Sequence, residues 1–352
     1  MPILTNIALA AATAASVELA AFGDFGFVGG NAAFRVPAEI QVTSRLDAVE
    51  ALRASDINFL NIEGSVTRLC RRFAAKEFAF AMAPAALVAY AKWGFNLMSL
   101  ANNHSLDCIS PPQRREIKPA LAAVRAQVPG VAMHGVASSE SELLKNLAIK
   151  TVRGVRVGMV AMKAWEGDGS SYIGNPKNRK KLFKALQAAA VDVRILSLHG
   201  GIESVRTPAA DIISIAREFV GSYNGDLVLG HHPHKAQGFE FFGKKNGRTA
   251  AIFYSLGNGL HNGLSEAGDG MVARMLLTKQ GIDPTSMAVF PLADAATALQ
   301  PIRAGLLGRW VQIFRTSSNG LTAAPKSAAL TPKTFKMYRQ TDPAPGLAIR
   351  LN

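Results

Sequence analysis

Apolar positions cluster into short runs that alternate with stretches of helical spacing, and this pattern lays out most of the chain. Residues 17–22 read as a buried strand ending in Gly23-Asp24. Residues 46–54 have helical spacing and lead to a second strand at 57–62. Pro84 opens a helix that runs to Lys92, Gly94 ends it, and a third strand follows at 95–100. A helix is expected at 115–127, then strands at 131–134, 147–152 and 155–162. Another helix at 177–190 precedes a strand at 191–198, and a helix at 211–222 precedes a strand at 226–229. The last expected strands are 237–242, 250–254 and 271–278.

Strands and helices thus alternate through the first 230 residues, and strands dominate afterwards. Alternation implies βαβ units with parallel pairing, and consecutive late strands imply an antiparallel portion. Two mixed sheets packed together between helices fit that order. No internal repeat is visible. The expected organisation is an apolar N-terminal segment at 1–16, one domain at 17–315, and a Ser/Thr/Pro/Lys/Ala-rich tail at 316–352 that packs on the domain or lies loose.

Charge narrows the partners. There are 39 Lys and Arg against 25 Asp and Glu, a net charge of +14. The basic residues are scattered, as at Arg71-Arg72, Arg114-Arg115 and 177–181, and form no stripe with interleaved aromatics. That argues against a nucleic-acid partner and leaves a solvated basic surface or attraction to an anionic small molecule or polymer. Cys70 and Cys108 have no metal-site spacing and are expected to be buried free thiols. Residues 3–15 resemble the apolar core of a signal peptide, but no Lys or Arg precedes them and Glu18 interrupts the run. Both a cell-envelope and a cytoplasmic location therefore stay open.

Chemistry gathers at the strand ends. Asp24 follows the first strand, and Asn61-Ile62-Glu63-Gly64 the second. Ala101-Asn102-Asn103-His104 follows the third. His199-Gly200-Gly201, with Glu203 beyond, follows a later one, as do Gly230-His231-His232-Pro233-His234 and Tyr254-Ser255-Leu256-Gly257-Asn258. The carboxyl ends of strands in an open α/β sheet converge on one crevice, so such loops can surround a point with Asp, Glu, Asn and His. A mixed O/N donor set suits Mn, Fe, Zn or Co. Singly, each residue has a bland reading: Asp24 as a turn cap, Glu63 as a partner of Arg68, Asn103 as a turn residue. Their joint occurrence at separate strand ends favours divalent metal ions. His232 and His234, two apart, would share one side of an extended backbone, with His231 facing away or toward substrate; the pairing of His231 with His234 is the alternative.

Together these segments, with Ser105-Leu106-Asp107 and Ile202-Glu203 included, resemble the motif series of the CapA-type poly-γ-glutamate capsule biosynthesis proteins, within the calcineurin-like metallophosphoesterase superfamily. The resemblance implies a four-layer α/β/β/α sandwich with two mixed central sheets and two divalent metal ions. It implies Asp24 and His234 on one metal and Glu63 as the bridge. Asn103, His199 and either His231 or His232 would hold the second metal. His104 would be the proton donor to a leaving group, with Asn103 beside it in catalysis, and Asn102, Glu203 and Asn258 would meet substrate. The implied activity is attack of a metal-bound hydroxide on a phosphoester or related anion. The alternative is a non-catalytic protein that binds or guides poly-γ-glutamate, and capsule-synthesis membrane proteins are implied partners. The chain departs from the superfamily pattern at Gly26, which stands where an Asp-x-His opening has its histidine, and this leaves one metal or two open. Gly200 and Ser204 replace common aromatics, and Asn96 stands where an Asp is typical.

Overall fold

The computed structural model describes residues 15–26, 54–68, 70–110, 113–165, 172–244, 246–261, 270–293, 300–301, 335–340 and 346–351. The helix expected at 46–54 and the apolar segment 1–16 fall almost wholly outside them. β1 (Ser16–Gly26) and β2 (Ile57–Ile62) are followed by the short β3 (Ser65–Val66), β4 (Arg72–Phe73) and β5 (Ala81–Met82). Next come α1 (Pro84–Lys92), β6 (Leu97–Ser99), β7 (Cys108–Ser110), α2 (Gln113–Gln127) and β8 (Ala132–His134). They lead to α3 (Glu140–Lys145), β9 (Ala148–Val152), β10 (Val155–Lys163), α4 (Arg179–Ala188), β11 (Val193–His199) and α5 (Ala210–Ser222). The remainder is β-rich: β12 (Leu227–His231), β13 (Phe239–Gly243), β14 (Thr249–Phe253), β15 (Asn258–His261) and β16 (Gly270–Thr278). It ends with β17 (Gly281–Ala293), β18 (Gln300–Pro301), β19 (Phe335–Gln340) and β20 (Gly346–Leu351).

Two mixed sheets result. One has the order β19-β20-β17-β16-β1-β2-β6-β8, with β15 on β1 and β18 on β17; the other runs β13-β14-β12-β11-β10-β9. As the alternation implied, β1, β2, β6 and β8 are parallel, and so are β10, β11, β12 and β14. The antiparallel additions are β13, β16, β17, β18, β19 and β20, from the strand-rich part of the chain, together with β9.

Side-chain parity builds the layers. In β1, Leu19 and Ala21 face the second sheet, packing with Val157, Ile195 and Leu229, while Ala20 and Phe22 face the helices α1 and α2. In the second sheet, Leu196, Leu198 and Val228 turn outward onto Phe183 of α4 and Phe219 of α5. Both sheets are therefore covered on both faces, which is why their strands read as continuous apolar runs. Each large apolar side chain so buried contributes about 1.5–3 kcal/mol. The result is the expected α/β/β/α sandwich.

Several local features differ from the sequence reading: α3 and the short β3, β4, β5, β7, β15 and β18 were not expected, and two further differences have clear physical reasons. β17 was not expected, because Asp283-Pro284 and Pro291 punctuate it. Its ladder jumps from Leu276 opposite Asp283 to Arg274 opposite Ala288, so Pro284 lies in a bulge and owes no N–H to the sheet. The two cysteines are not free thiols: Cys70 and Cys108 form a disulfide, with Cα atoms 5.6 Å apart. Spacing does not reveal this pair, because 38 residues separate them and the fold alone brings them together. The bond ties the segment between β3 and β5 to the first residue of β7. In the tail, β19 and β20 form a hairpin that pairs with β17. Among the described residues no helix is long and apolar enough to cross a membrane.

Candidate metal centre

All the candidate segments emerge at one edge of the sandwich, because the parallel strands of each sheet end there. Asp24 and Asn61 are paired residues on β1 and β2, as are His199 and His231 on β11 and β12. Asp24 is pinned at its backbone, where its N–H donates to Gly257 O at 2.9 Å. That approach needs glycine before it: a Cβ at Gly23 would overlap the Gly257 carbonyl, 2.7 Å from its carbon.

Glu63 is the centre of the arrangement. Its carboxylate is fully buried, and neither oxygen has a hydrogen-bond partner. Arg68, the partner offered by the bland reading, pairs with Glu116 at 3.1 Å instead. Four imidazoles surround Glu63. Nε2 of His104, His199 and His234 lie 3.7, 3.6 and 3.7 Å from Oε1, and Nε2 of His261 lies 3.7 Å from Oε2. These spacings are too long for hydrogen bonds.

Asp24 is held from several sides. Asn61 Nδ2 donates to Oδ1 at 2.9 Å, and the His232 backbone N–H donates to Oδ2 at 3.0 Å. His231 Nδ1 lies 3.2 Å from Oδ1 and His234 Nδ1 3.6 Å from Oδ2. His231 packs against Phe59 with ring centres 5.5 Å apart and stays behind Asp24. The backbone after it is not extended. His232 has φ 96° and His234 φ 55°, so a left-handed turn, not strand alternation, aims both rings. Non-glycine residues pay about 1 kcal/mol or more for that conformation, and such strain concentrates at functional sites. Donor atoms of Glu63, His232 and His234 all lie within 4.8 Å of one another.

The loop after β6 supplies the other wall. Asn102, expected at substrate, is buried. Its Nδ2 donates to Ile62 O at 2.7 Å, and its Oδ1 accepts from the His104 N–H at 2.9 Å. Asn258, expected there too, is buried beside His234, with Oδ1 2.8 Å from its Nδ1. Glu203 stays exposed at the rim, 3.8 Å from His232 Nε2. Asn103 Oδ1 lies 2.8 Å from His199 Nε2. His104 Nδ1 lies 2.5 Å from Asp107 Oδ2, a carboxylate that also accepts from Phe80 N–H at 2.7 Å and faces Lys76 Nζ at 2.5 Å. Phe80 lies on His104 with ring centres 4.0 Å apart, and Trp165 meets His232 at 4.5 Å.

Three participants were not singled out from sequence. Asp107 and Asn61 lay inside the recognised segments without a role, and His261 lay just past the last one. Asp107 follows His104 by three residues, a spacing that one turn closes.

Burial pushes the Glu63 carboxyl well above the usual carboxylate range, and the charges of Asp24, Glu203 and Asp107 push the same way. Burial would raise Asp24 too, but the neighbouring His231, His199 and His234 override it and hold Asp24 far below that range. Burial takes His199 well down and brings His232 and His261 to about 3. It also lowers His104, against the pull of Asp107. His199, His232 and His261 are therefore neutral at neutral pH, the form that binds metals. A buried carboxylate without a donor costs on the order of a few kcal/mol. A cation among these oxygens and nitrogens removes that cost, so the residues present fit a divalent metal.

The comparisons agree with this architecture. A sequence model of the family described as bacterial capsule synthesis protein PGA_cap matches residues 18–262, which contain the whole site from Asp24 to His261. The capsule biosynthesis protein CapA of Bacillus anthracis is 29% identical over 178 residues, 47% of this chain and 40% of that protein. The chain thus aligns with less than half the length of that relative. A solved structure described as a novel phosphatase from Mycoplasma pneumoniae superposes with a TM-score of 0.51 and 11% identity, over 86% of this chain and 100% of the other. That likeness concerns the fold alone, the α/β/β/α sandwich described above. Since the family match spans most of the chain and every strand end that carries the site, the chain belongs to the bacterial capsule synthesis protein PGA_cap family.

Proposed function

We propose that this protein is a metal-dependent phosphoesterase-like hydrolase serving poly-γ-glutamate capsule synthesis, acting on a phosphoester or a related anionic group. The observation that carries the proposal is the buried Glu63 carboxylate, without hydrogen bonds and ringed by four imidazole nitrogens at 3.6–3.7 Å. Asp24, Glu63 and His234 would hold one cation; Glu63, Asn103, His199 and His232 would hold a second. His232 takes this place ahead of His231, because it shares the donor cluster with Glu63 and His234. Mn, Fe, Zn or Co would supply Lewis acidity toward a phosphoryl oxygen and make bound water more acidic. His104 in its protonated form, with Nδ1–H held on Asp107, would give the Nε2 proton to the leaving oxygen and be left as the neutral ring. Phe80 and Trp165 restrict water around the imidazoles. The Cys70–Cys108 disulfide supports a place in the cell envelope, where such bonds persist, and hence capsule-synthesis membrane proteins as partners.

The net charge of +14 favours a second reading, in which the same centre binds poly-γ-glutamate carboxylates without turnover. Purified protein loaded with each metal in turn, assayed on chromogenic phosphomonoesters and phosphodiesters, separates the two. Hydrolysis that is abolished by chelation supports the hydrolase. No hydrolysis with any metal, together with salt-sensitive binding of the polymer, sinks it and supports the binding role.

A further inference from the structure

His261 reaches the centre by a route that the motif series does not contain. It is the last residue of β15, which runs parallel to β1 and places Gly26 opposite His261 in register. The ring is 1% exposed, and its centre lies 5.0 Å from His234 and 5.4 Å from Phe80. Its Nε2 approaches Glu63 Oε2, whereas the other three imidazoles approach Oε1. It therefore serves the side of the Glu63 carboxylate that those three leave open.

Gly26 explains how it fits. Position 26 ends β1 in ordinary strand conformation, so glycine is not required there by the backbone. It is required by space: a Cβ would overlap the His261 imidazole, 2.5 Å from Cδ2. The same exchange occurs one step away, where a Cβ at Gly259 would stand 2.7 Å from Phe25 Cδ2. Two large-against-glycine pairs thus interlock β1 with β15, and one of them directs an imidazole at Glu63.

We propose that His261 is a metal ligand of the Asp24 position, delivered by β15 through the volume that Gly26 leaves empty. An imidazole donor reaches that position from the neighbouring strand, and the absent Asp-x-His histidine is replaced in space but not in sequence. The inference rests on the metal-centre reading above.

The test uses four forms of the full chain: wild type, His261→Ala, Gly26→His, and the double variant Gly26→His/His261→Gly. Each is stripped, its fold is checked by circular dichroism and thermal melting in chelator, and Mn and Zn are titrated with calorimetry and counted by elemental analysis. His261→Ala is expected to lose one equivalent of metal or at least tenfold in affinity. Gly26→His alone is expected to melt early, since two side chains then compete for one space. The double variant is expected to recover metal binding toward wild type. His261→Gln, closer in volume, replaces the alanine variant if that one does not fold. Equal stoichiometry and affinity in wild type and His261→Ala overturn the assignment of His261. A double variant no better than His261→Ala overturns the shared ligand space. A folded wild type that takes up no metal instead defeats the metal centre itself.

Discussion

His104 derives its direction from Asp107. With Nδ1 held 2.5 Å from Asp107 Oδ2, Nε2 is the nitrogen turned toward Glu63. Asp107 is itself fixed by Phe80 N–H and Lys76, so the ring cannot turn without breaking those contacts. His104→Ala is expected to leave metal content intact and lower turnover by about a hundredfold or more, the range of a lost general acid. Asp107→Asn removes the charge that supports a protonated ring and, with the amide oxygen kept on Nδ1 and Phe80 N–H, turns its NH2 against Lys76, so turnover is expected to fall about tenfold or more. Steady-state rates on the best phosphoester, paired with elemental analysis, check both. Unchanged turnover in His104→Ala removes that residue from the mechanism. At this scale sequence was informative for Asp24, Glu63, Asn103 and the histidine cluster, because each ends a strand beside a turn residue. It was silent on Asp107 and His261, whose partners are chosen by packing.

Among the elements, β8 carries a latch distinct from the metal centre. Ala161 N–H of β10 donates to His134 Nδ1 at 3.0 Å, and Nε2 donates to Leu143 O of α3 at 3.1 Å. Both contacts use the neutral ring, and burial brings His134 from 6.5 down to about 4. Between those values the unfolded chain binds the extra proton, so stability rises with pH across the interval and is fully present above 6.5. Acidification from about pH 7 to about pH 5 is expected to cost about 2 kcal/mol through this residue. Urea unfolding of metal-free wild type and His134→Gln at both pH values tests this; an equal loss in the two proteins refutes it. Most strands and helices matched their apolar spacing to within a few residues. β15, β17 and the β19–β20 hairpin did not, since prolines, glycines or polar positions break their pattern while neighbouring strands supply their pairing; α3 and the two- or three-residue strands β3, β4, β5, β7 and β18 are too short to show a period.

For the whole molecule, the centre joins the two sheets. Asp24, Glu63 and His261 come from the ten-stranded sheet and the loops at its edge, and His199, His232 and His234 from the six-stranded one. A cation held by both would cross-link layers that otherwise meet through the apolar core of Leu19, Phe59, Ile195 and Leu229. At a free-metal concentration of about a hundred Kd, binding adds about 2.7 kcal/mol to the folded state. For a chain of this size that is a rise of roughly 4 °C in Tm. Scanning calorimetry with Mn and with chelator checks it, and identical melting curves would contradict a metal shared by the sheets.

By itself the sequence determined the layer order, the direction of most strands and the donor types at their ends, since these follow from local spacing and turn residues. Only the tertiary structure decided that Cys70 meets Cys108, that a left-handed turn aims His232 and His234, and that His261 fills the space beside Gly26. Those outcomes depend on contacts between segments far apart in the chain, where packing and the desolvation of Glu63, not local preference, select the partner.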